Sequence, residues 1–315
     1  MKTGVQLLRQ LGLPVFNNEE KLASLIHISP AVIKSIVISP EKFYKKYRKR
    51  KCNGKWRRIK QPNRHLKAIQ AWILRNILDI INPTKYATAY VKGKSISDNV
   101  SDHRNNRYFI SLDLEDFFPS ISTRRIIKKF SLMGYSSRAS FILGGLCTCE
   151  GNLPQGAVTS PALSNLVASQ LDRRIGGYAS KTNMTYTRYS DDITLSSNDR
   201  TVLRKALPRI LKIVKTEHFK PNLNKLRMLG PGKRCAITGL VKHDTEERFG
   251  IGTKKKRQMR AVMHRYVFGS ESDAKYNSAE SIYGWIEYLR IVDKDSYEQM
   301  NVYLNKIIQK SIASK

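Results

Sequence analysis

Three aspartates have the residue type and setting of a metal site. Asp191 and Asp192 are adjacent in the segment TYTRYSDDITL, and Asp113 lies within RYFISLDLEDFFP. Neighbouring carboxylates raise one another's pKa unless a cation lies between them. Taken alone, each aspartate would suit an ordinary turn or a helix cap. Together they suit two divalent cations, about 3.5–4 Å apart, that assist a phosphoryl transfer.

Short strands must position these aspartates. Residues 185–195 predict a β-hairpin whose tip is Ser190 and Asp191. Residues 107–119 predict a strand with aliphatic side chains on one face and Asp113 on the opposite face, near the strand's C-terminal end. A hairpin beside a strand would present the three carboxylates to one side of a sheet.

Helices are predicted on either side of these strands. Residues 66–81 have apolar side chains at helical spacing and predict one core helix, which Asn82-Pro83 ends. Residues 151–168 predict a loop that enters a helix, with Ser160 as N-cap and Pro161 as first helical residue. The chain from about residue 241 is predicted to be helical and basic, with plain surface charge as the alternative.

The charge balance points to a polyanionic partner. The chain has 57 Lys and Arg against 25 Asp and Glu, a net charge of +32, which favours nucleic acid although a membrane surface also fits. Residues 45–60 are densely basic with Tyr47 and Trp56, and Asn53-Gly54 is a hairpin signal, so this segment predicts contact with nucleic acid or nucleotide rather than a solvated loop.

Other function classes are disfavoured. No apolar run approaches the ~18 residues of a membrane span, and residues 1–16 make a poor signal peptide. The four cysteines fit no disulfide framework, and Cys147 and Cys149 lack a second pair for zinc, so buried thiols are expected. A cytoplasmic protein without a membrane partner is the expectation.

Three motifs, in order, resemble those of reverse transcriptases: SLDLEDFFPS, NLPQGAVTSPALSNL and YSDD. The resemblance runs from about Trp56 to the C-terminal helices. Residues 99–103 (NVSDH) resemble the Asn-Ala-x-x-His element of bacterial retron reverse transcriptases, with Val100 in place of Ala. Residues 237–239 (ITG) resemble their Val-Thr-Gly element, with Ile237 in place of Val. The length also resembles that of a retron enzyme.

The resemblance implies an α+β, right-hand polymerase fold. Fingers and palm would interleave in residues 1–240, and the palm would hold an antiparallel sheet with the catalytic hairpin. Residues 241–315 would form a small, helical, basic thumb that binds RNA or duplex.

The same resemblance implies a role for each matching residue. Asp113 and Asp191 would be the principal catalytic metal ligands, with Asp192 and the carbonyl of Leu114 supporting them. Nucleotide binding would fall to Arg57, Lys55, Phe118, Gln155, Gly156 and Lys225. The primer terminus would lie near Tyr189 and Ser190, and RNA contacts or their support would come from Asn99, His103, Thr238 and Gly239.

Two of these assignments have a plain alternative. Phe118 is expected to be the steric gate that excludes a ribose 2′-OH, with Phe117 in the core, because neighbouring strand residues face opposite ways. His103 could contact RNA or could equally be a buried histidine satisfied by a neighbour. Lys225 would protonate pyrophosphate, and Leu226 departs from the Thr often found after it.

The implied function is retron RNA-directed DNA synthesis. The enzyme would bind its cognate structured noncoding RNA (msr-msd) and copy part of it into RNA-linked multicopy single-stranded DNA (msDNA), primed from a guanosine 2′-OH. It would use dNTPs and two Mg²⁺ ions, for which Mn²⁺ can substitute, and act with an effector protein in anti-phage defence. The alternatives are another bacterial reverse transcriptase (group II intron-like, diversity-generating or abortive-infection type) and a non-catalytic RNA-binding protein on a polymerase scaffold.

Overall fold

A computed structural model describes residues 4–50, 54, 56–243, 248–269 and 278–313 of the chain. The strands are β1 Tyr44–Arg50, β2 Trp56–Pro62, β3 Tyr108–Glu115, β4 Thr185–Tyr189, β5 Asp192–Ser197, β6 Lys220–Leu229, β7 Ala236–Ile237, β8 Leu240–Lys242 and β9 Phe249–Gly250. The helices are α1 Gly4–Gln10, α2 Glu19–Ile26, α3 Pro30–Ile38, α4 Arg64–Ile73, α5 Ile96–Ser101, α6 Thr123–Leu132, α7 Ser137–Cys147, α8 Ser160–Lys181, α9 Arg200–Thr216, α10 Gly252–Phe268, α11 Ala279–Val292 and α12 Lys294–Ala313.

An antiparallel sheet in the order β4-β5-β3-β6 forms the centre of the fold. One face of β3 carries Ile110, Leu112 and Leu114, and these pack in one core with the apolar sides of α8 and α9. Because successive strand residues alternate between faces, Asp113 lies on the face that these helices leave uncovered. The sheet therefore separates the helical layer from the aspartates.

A second core gathers the C-terminal part of the chain. Residues of β7–β9 and α10–α12 pack together with Val100 and Phe109. The predicted all-helical region from about residue 241 is wrong at its start, because β8 and β9 pair there in a small three-stranded sheet with β7. The boundary predicted at residue 240 stays a prediction.

The basic segment at residues 45–60 forms the predicted hairpin. β1 and β2 pair from Tyr44 opposite Pro62 to Arg50 opposite Trp56. Residues 51–53 and 55, which include Asn53 of the predicted turn, lie outside the described residues, while Gly54 has a φ of +80°. Tyr47 and Trp56 are exposed, so both aromatic side chains are accessible among the cations.

Three predicted boundaries differ from the structure. The strand predicted over residues 107–119 ends at Glu115, because Asp116 takes a left-handed φ of +45°. The single helix predicted over residues 66–81 is α4 followed by a π turn, Leu74–Leu78. Thr159, not Ser160, is the N-cap of α8, and the Ser160 hydroxyl instead donates a hydrogen bond to the carbonyl of Pro154 at 2.6 Å.

The buried thiols that the sequence predicts at two of the cysteines are present. Cys147 and Cys149 are buried free thiols, and burial raises the pKa of Cys147 to about 12. Within the described ranges, no single helix has the length and apolar character to cross a membrane, although α2 and α3, bent by 119° at their junction, pass that test as a pair.

Candidate active site

The tip of the β4-β5 hairpin presents two of the aspartates. Tyr189 pairs with Asp192, which leaves Ser190 and Asp191 as a two-residue loop, as predicted. Ser190 has a φ of +60° and Asp191 does not have a positive φ, which is the pattern of a type II′ turn. A non-glycine residue is uncommon in this region, so neighbouring contacts must hold the tip in place.

β3 brings Asp113 beside this hairpin. Asp113 pairs with Asp192 across the β3-β5 ladder, and the amide of Leu114 donates to the carbonyl of Asp191 at 3.0 Å. In an antiparallel ladder, the N–H and C=O of one residue point to the same neighbour. The carbonyl of Leu114 therefore points toward the hairpin. Asp113 and Asp192 lie opposite each other in the ladder and share one face, and Asp191 lies next to them at the hairpin tip.

β6 supplies two polar partners for Asp113. Lys225 Nζ lies 2.7 Å from one carboxylate oxygen, and Asn222 Nδ2 donates to the other at 3.1 Å. The hydrogen bond to Asp113 raises the pKa of Lys225, so this lysine stays protonated. Within the part of the chain that the structure describes, no three acidic, His or Cys side chains converge as a complete ligand set.

Burial and mutual repulsion disfavour the ionised forms of Asp191 and Asp192. Burial, followed by the charges of Asp191 and Asp113, raises the pKa of Asp192 to about 6. Burial also raises the pKa of Asp191, and the charge of Asp113 adds to this effect. Hard divalent cations bind carboxylate oxygens and keep the carboxylates ionised, because the cation offsets the repulsion between their charges. The donor chemistry therefore fits a divalent-metal site once Asp113 leaves Lys225.

A buried ion pair supports the hairpin from behind. Arg188 and Asp172 are both fully buried, and Arg188 Nε and Nη2 donate to the two Asp172 oxygens at 2.7 and 2.8 Å. Burial alone would lower the pKa of Arg188, but Asp172 and Tyr186 raise it, so the guanidinium stays charged. Its Nη1 donates to the carbonyl of Ser190 at 2.9 Å, which fixes the strained tip.

Sequence reasoning missed this pair and also Tyr90. Arg188 lies one residue before the YSDD motif, and Asp172 sits among polar helix residues, so neither carries a motif signal. The Ser190 hydroxyl donates to the Tyr90 hydroxyl at 3.2 Å, and Tyr90 itself has a φ of +59°. This contact gives Ser190 a specific hydrogen-bond partner at the tip.

Phe117 and Phe118 do not follow the predicted alternation. They lie in the turn after β3, not in the strand, so strand geometry cannot assign their directions. Both are largely buried, and their rings contact each other with centroids 5.5 Å apart. Phe118 lies on the Tyr90 side, with centroids 6.3 Å apart, whereas Phe117 packs on Phe219. Phe118 therefore contacts Tyr90, the hydrogen-bond partner of Ser190, whereas Phe117 lies 5.8 Å from the guanidinium of Arg188.

The Pro-Gln-Gly loop contacts the basic hairpin. The amide of Lys60 in β2 donates to the carbonyl of Gln155 at 2.9 Å. Gly156 has a φ of +120°, and a Cβ there would lie 2.9 Å from the carbonyl oxygen of Lys60, so only glycine fits this close approach. Glu150 from the neighbouring turn pairs with both Lys46 and Lys60 and joins the hairpin to the same loop region.

The two residues expected to bind triphosphate are Arg57 and Lys55, and the structure describes only Arg57. Arg57 is exposed on β2, three residues from Lys60, and pairs in register with Lys49. Lys55 lies outside the described residues. Between the hairpin and the Pro-Gln-Gly loop runs a groove of about 490 Å³, lined by residues that include Arg58, Glu150 and Gln155.

The residues expected to contact RNA divide into two groups. Asn99 and His103 are buried, so of the two predicted roles, contact with RNA or support of that contact, the burial favours support, which stays a prediction. His103 lies 2.6 Å from the Ser196 hydroxyl and 2.8 Å from the Thr187 hydroxyl, and burial lowers its pKa to about 3. It is thus the neutral, satisfied histidine of the alternative.

The two retron-like elements touch each other. Asn99 Nδ2 donates to the Thr238 hydroxyl at 3.3 Å, and Asn99 Oδ1 accepts from the Thr88 hydroxyl at 2.8 Å. Thr238 and Gly239 both have positive φ values, +46° and +89°, and Gly239 is exposed. Asn99 therefore stabilises the turn at residues 237–239 through its hydrogen bond to Thr238.

Comparison with known proteins identifies the family. The model of the family "Reverse transcriptase (RNA-dependent DNA polymerase)" matches residues 45–260. The retron Ec86 reverse transcriptase of Escherichia coli is 35% identical over 305 residues, covering 96% of this chain and 93% of that protein. The retron Mx65 reverse transcriptase of Myxococcus xanthus is 29% identical, covering 93% of this chain and 72% of that protein.

Solved structures show more distant likeness. A telomerase from Candida albicans, in complex with a telomeric RNA fragment, has a TM-score of 0.48 and 10% identity, covering 89% of this chain and 63% of that chain. A foamy viral protease–reverse transcriptase in complex with double-stranded DNA has a TM-score of 0.46 and 18% identity, covering 85% and 43%.

The chain belongs to the reverse transcriptase family and has its α+β fold, with the aspartate-bearing hairpin in an antiparallel sheet. It is an RNA-directed DNA polymerase. Within this family it belongs with the bacterial retron reverse transcriptases, because the similarity to them covers nearly the whole chain.

Proposed function

We propose that this polymerase works by two-metal nucleotidyl transfer at Asp113, Asp191 and Asp192. The carrying observation is that β3 and the β4-β5 hairpin bring these carboxylates together: Asp113 is paired with Asp192, and Asp191 lies next to Asp192 at the tip, close enough for its charge to raise the pKa of Asp192. Two divalent cations, Mg²⁺ by preference with Mn²⁺ as a substitute, would lower the pKa of the attacking hydroxyl and neutralise the leaving pyrophosphate. Asp113 and Asp191 would be the principal ligands, with Asp192 and the Leu114 carbonyl completing the site.

Lys225 has two roles in this proposal. Without metal it neutralises Asp113 through the 2.7 Å ion pair. If Asp113 bound a cation, Lys225 would lose this ion pair and would remain beside the site. It can then donate its proton to the leaving pyrophosphate as a general acid.

The nucleotide would be held between the basic hairpin and the Pro-Gln-Gly loop. Arg57, with Lys55, would bind the triphosphate, because a guanidinium pairs with two phosphate oxygens at once. Gln155 and Gly156 would lie against the base and template. The close approach of Gly156 to β2 supports this proposal, because it ties the loop to the strand that carries Arg57.

Phe118 would act as the steric gate against a ribose 2′-OH, and Tyr189 and Ser190 would line the primer terminus. The ring of Phe118 faces Tyr90, which holds the Ser190 hydroxyl. These contacts support a steric gate and a primer site that lie next to each other.

The RNA partner would be a cognate structured noncoding RNA. Part of it would be copied into msDNA primed from a guanosine 2′-OH, in a bacterial cytoplasm and in a defence system with an effector protein. The names of the relatives support the retron assignment. Residues 1–240 would form fingers and palm, and residues 241–315 the thumb, with Thr238 and Gly239 contacting RNA while Asn99 and His103 support them.

The experiment combines purified protein with its noncoding RNA, Mg²⁺ and dNTPs. The expected product is DNA linked covalently to RNA, and Asp191→Asn is expected to abolish it. Asp79→Asn is the matched control, because Asp79 is an exposed aspartate distant in sequence from the motifs. DNA made without a covalent link to RNA would favour the alternative that the protein is a reverse transcriptase of another bacterial type. RNA binding without any incorporation would favour the non-catalytic alternative.

A further inference from the structure

The outer sides of α8 and α9 form a basic surface that the polymerase site does not use. α9 has no acidic residue, and its six basic residues are Arg200, Arg204, Lys205, Arg209, Lys212 and Lys215. Its apolar residues, such as Leu203, Ile210 and Val214, face the core. An amphipathic helix normally mixes both signs of charge on its polar side, so an all-cationic side points to an anionic ligand.

A groove follows the junction of the two helices. It has a volume of about 680 Å³, and its described lining carries cations but no carboxylate. We call it the back groove, and its lining is Arg174, Gly177, Tyr178, Lys181, Pro208, Arg209, Lys212, Ile213 and Thr216.

Among the described acids, only Glu217 pairs with a cation of the back groove, which is Arg174. Glu217 is already paired with Arg174 at 2.7 Å, and it lies at the end of the groove rather than in its lining. Asp172, the acid of α8, is turned inward and fully buried with Arg188. Lys181, Arg209 and Lys212 are exposed without such a counterion in the lining of the groove.

The positive surface continues past Glu217 onto α6. Arg125 Nη2 donates to the Glu217 carbonyl at 3.1 Å, while Arg125 Nη1 is buried and has no hydrogen-bond partner. Burial, followed by the charges of Arg173 and Arg125, lowers the pKa of Lys129. These cations repel one another in the isolated chain, and a row of phosphates would relieve that repulsion.

An aromatic ring lies within the groove. The guanidinium of Arg209 sits over the ring of Tyr178, 4.8 Å from its centroid. Cations interleaved with an aromatic side chain suit a sugar–phosphate backbone, because the cations neutralise phosphates and the ring offers a stacking face.

The back groove and the aspartates lie on opposite sides of the sheet. α8 and α9 cover the face of Ile110 and Leu112, whereas Asp113 lies on the other face. A helix is about 10–12 Å across, so at least this thickness plus the sheet separates the two sites. A strand bound in the groove is therefore not the strand that reacts.

We propose that the back groove binds the phosphodiester backbone of a nucleic-acid segment outside the polymerase cleft. The segment belongs either to a folded RNA or to the DNA product, since both carry the same phosphates. This binding site goes beyond the polymerase function and does not depend on retron-type priming.

The test compares two triple variants with equal loss of charge. The groove variant carries Lys181→Gln, Arg209→Gln and Lys212→Gln. The control variant carries Arg9→Gln, Lys21→Gln and Arg75→Gln, three exposed cations on α1, α2 and the π turn. Affinity for a long structured RNA is measured across a salt series, and again for the same sequence as DNA. A short primer–template that fills only the polymerase cleft reports basal extension.

The groove variant is expected to reduce the slope of log affinity against log salt by about 2–3, because each lost phosphate contact contributes about 0.7–0.9. The control variant is expected to leave the slope within experimental error, and both are expected to extend the short substrate normally. A loss with RNA alone or with DNA alone identifies which strand binds.

Three outcomes would overturn the proposal. Equal loss in both variants would show an effect of net charge only. Failure of the groove variant on the short substrate would show that the groove belongs to the polymerase cleft. Loss of binding to anionic phospholipid vesicles with no loss for nucleic acid would show a membrane surface instead. Failure of wild-type extension would contradict the polymerase proposal while leaving the salt slopes readable.

Discussion

Removing the negative charge of Asp172 should destabilise the central β4-β5-β3-β6 sheet and the helices packed on it. The Asp172 carboxylate accepts four hydrogen bonds of 2.7–2.8 Å: two from Arg188, one from the Tyr186 hydroxyl and one from the Thr84 hydroxyl. Asp172→Asn keeps the shape but turns an NH₂ group toward some of these donors and leaves a buried guanidinium without a counterion.

The expected loss of unfolding free energy is about 3–5 kcal/mol, the range for breaking one partner of a buried ion pair. This is a large share of the ~5–15 kcal/mol that holds a typical domain. The assay is urea unfolding followed by circular dichroism. Asp79→Asn on the surface is the control and should change stability by less than about 0.5 kcal/mol.

A double variant separates stability from positioning. Arg188→Met with Asp172→Leu replaces the pair by apolar side chains of similar size, a change that is often neutral or stabilising. The carbonyl of Ser190 would nevertheless lose its 2.9 Å donor. We expect stability to recover only in part, because the Tyr186 and Thr84 hydroxyls lose their acceptor in both variants, while primer extension stays impaired. A loss below about 1 kcal/mol in Asp172→Asn would refute the stabilising role of the ion pair, and normal extension by the double variant would refute the positioning role of Arg188.

Three further predictions concern the site itself. The folded-state pKa of Asp192 is about 6, above its ordinary 3.8, so the metal-free protein loses stability as pH rises from about 4 to about 6. Asp192→Asn should therefore raise metal-free stability at neutral pH by about 2 kcal/mol, a value discounted for partial exposure. It should also abolish Mg²⁺-dependent stabilisation, and thermal unfolding measures both effects. Lys225→Met should change stability by under about 1 kcal/mol but slow single-turnover incorporation by about 10²–10⁴-fold and alter its pH profile, whereas an unchanged rate would exclude the general acid. Gly156→Ala, whose Cβ would meet the Lys60 carbonyl at 2.9 Å, should lose about 1–3 kcal/mol of stability and raise the KM for dNTP, and wild-type values would contradict the close approach.

Local patterns predicted the elements that carry the aspartates. Alternation in residues 107–115 placed Asp113 opposite the aliphatic face, and the two-residue tip at Ser190 and Asp191 follows from the short strands around it. The order of the motifs gave the family, because three separate segments agreed.

Other parts of the site depend on contacts that no local pattern reports. Arg188 pairs with an aspartate 16 residues earlier in the chain, and His103 with hydroxyls 84 and 93 residues away. The strand end at Asp116 depends on a left-handed φ that its residue type permits but does not require. Asn99 likewise donates a hydrogen bond to Thr238, which is 139 residues away in the chain.

The number of divalent cations bound at the three aspartates is the most direct test of the mechanism. Mn²⁺ binding is measured by electron paramagnetic resonance on protein with primer–template and a non-hydrolysable dNTP. Wild-type protein and Asp79→Asn are expected to bind two ions per site, and Asp191→Asn is expected to bind fewer and to lose primer extension. Fewer than two ions in wild-type protein, or two ions with normal extension in Asp191→Asn, would contradict two-metal catalysis at this site.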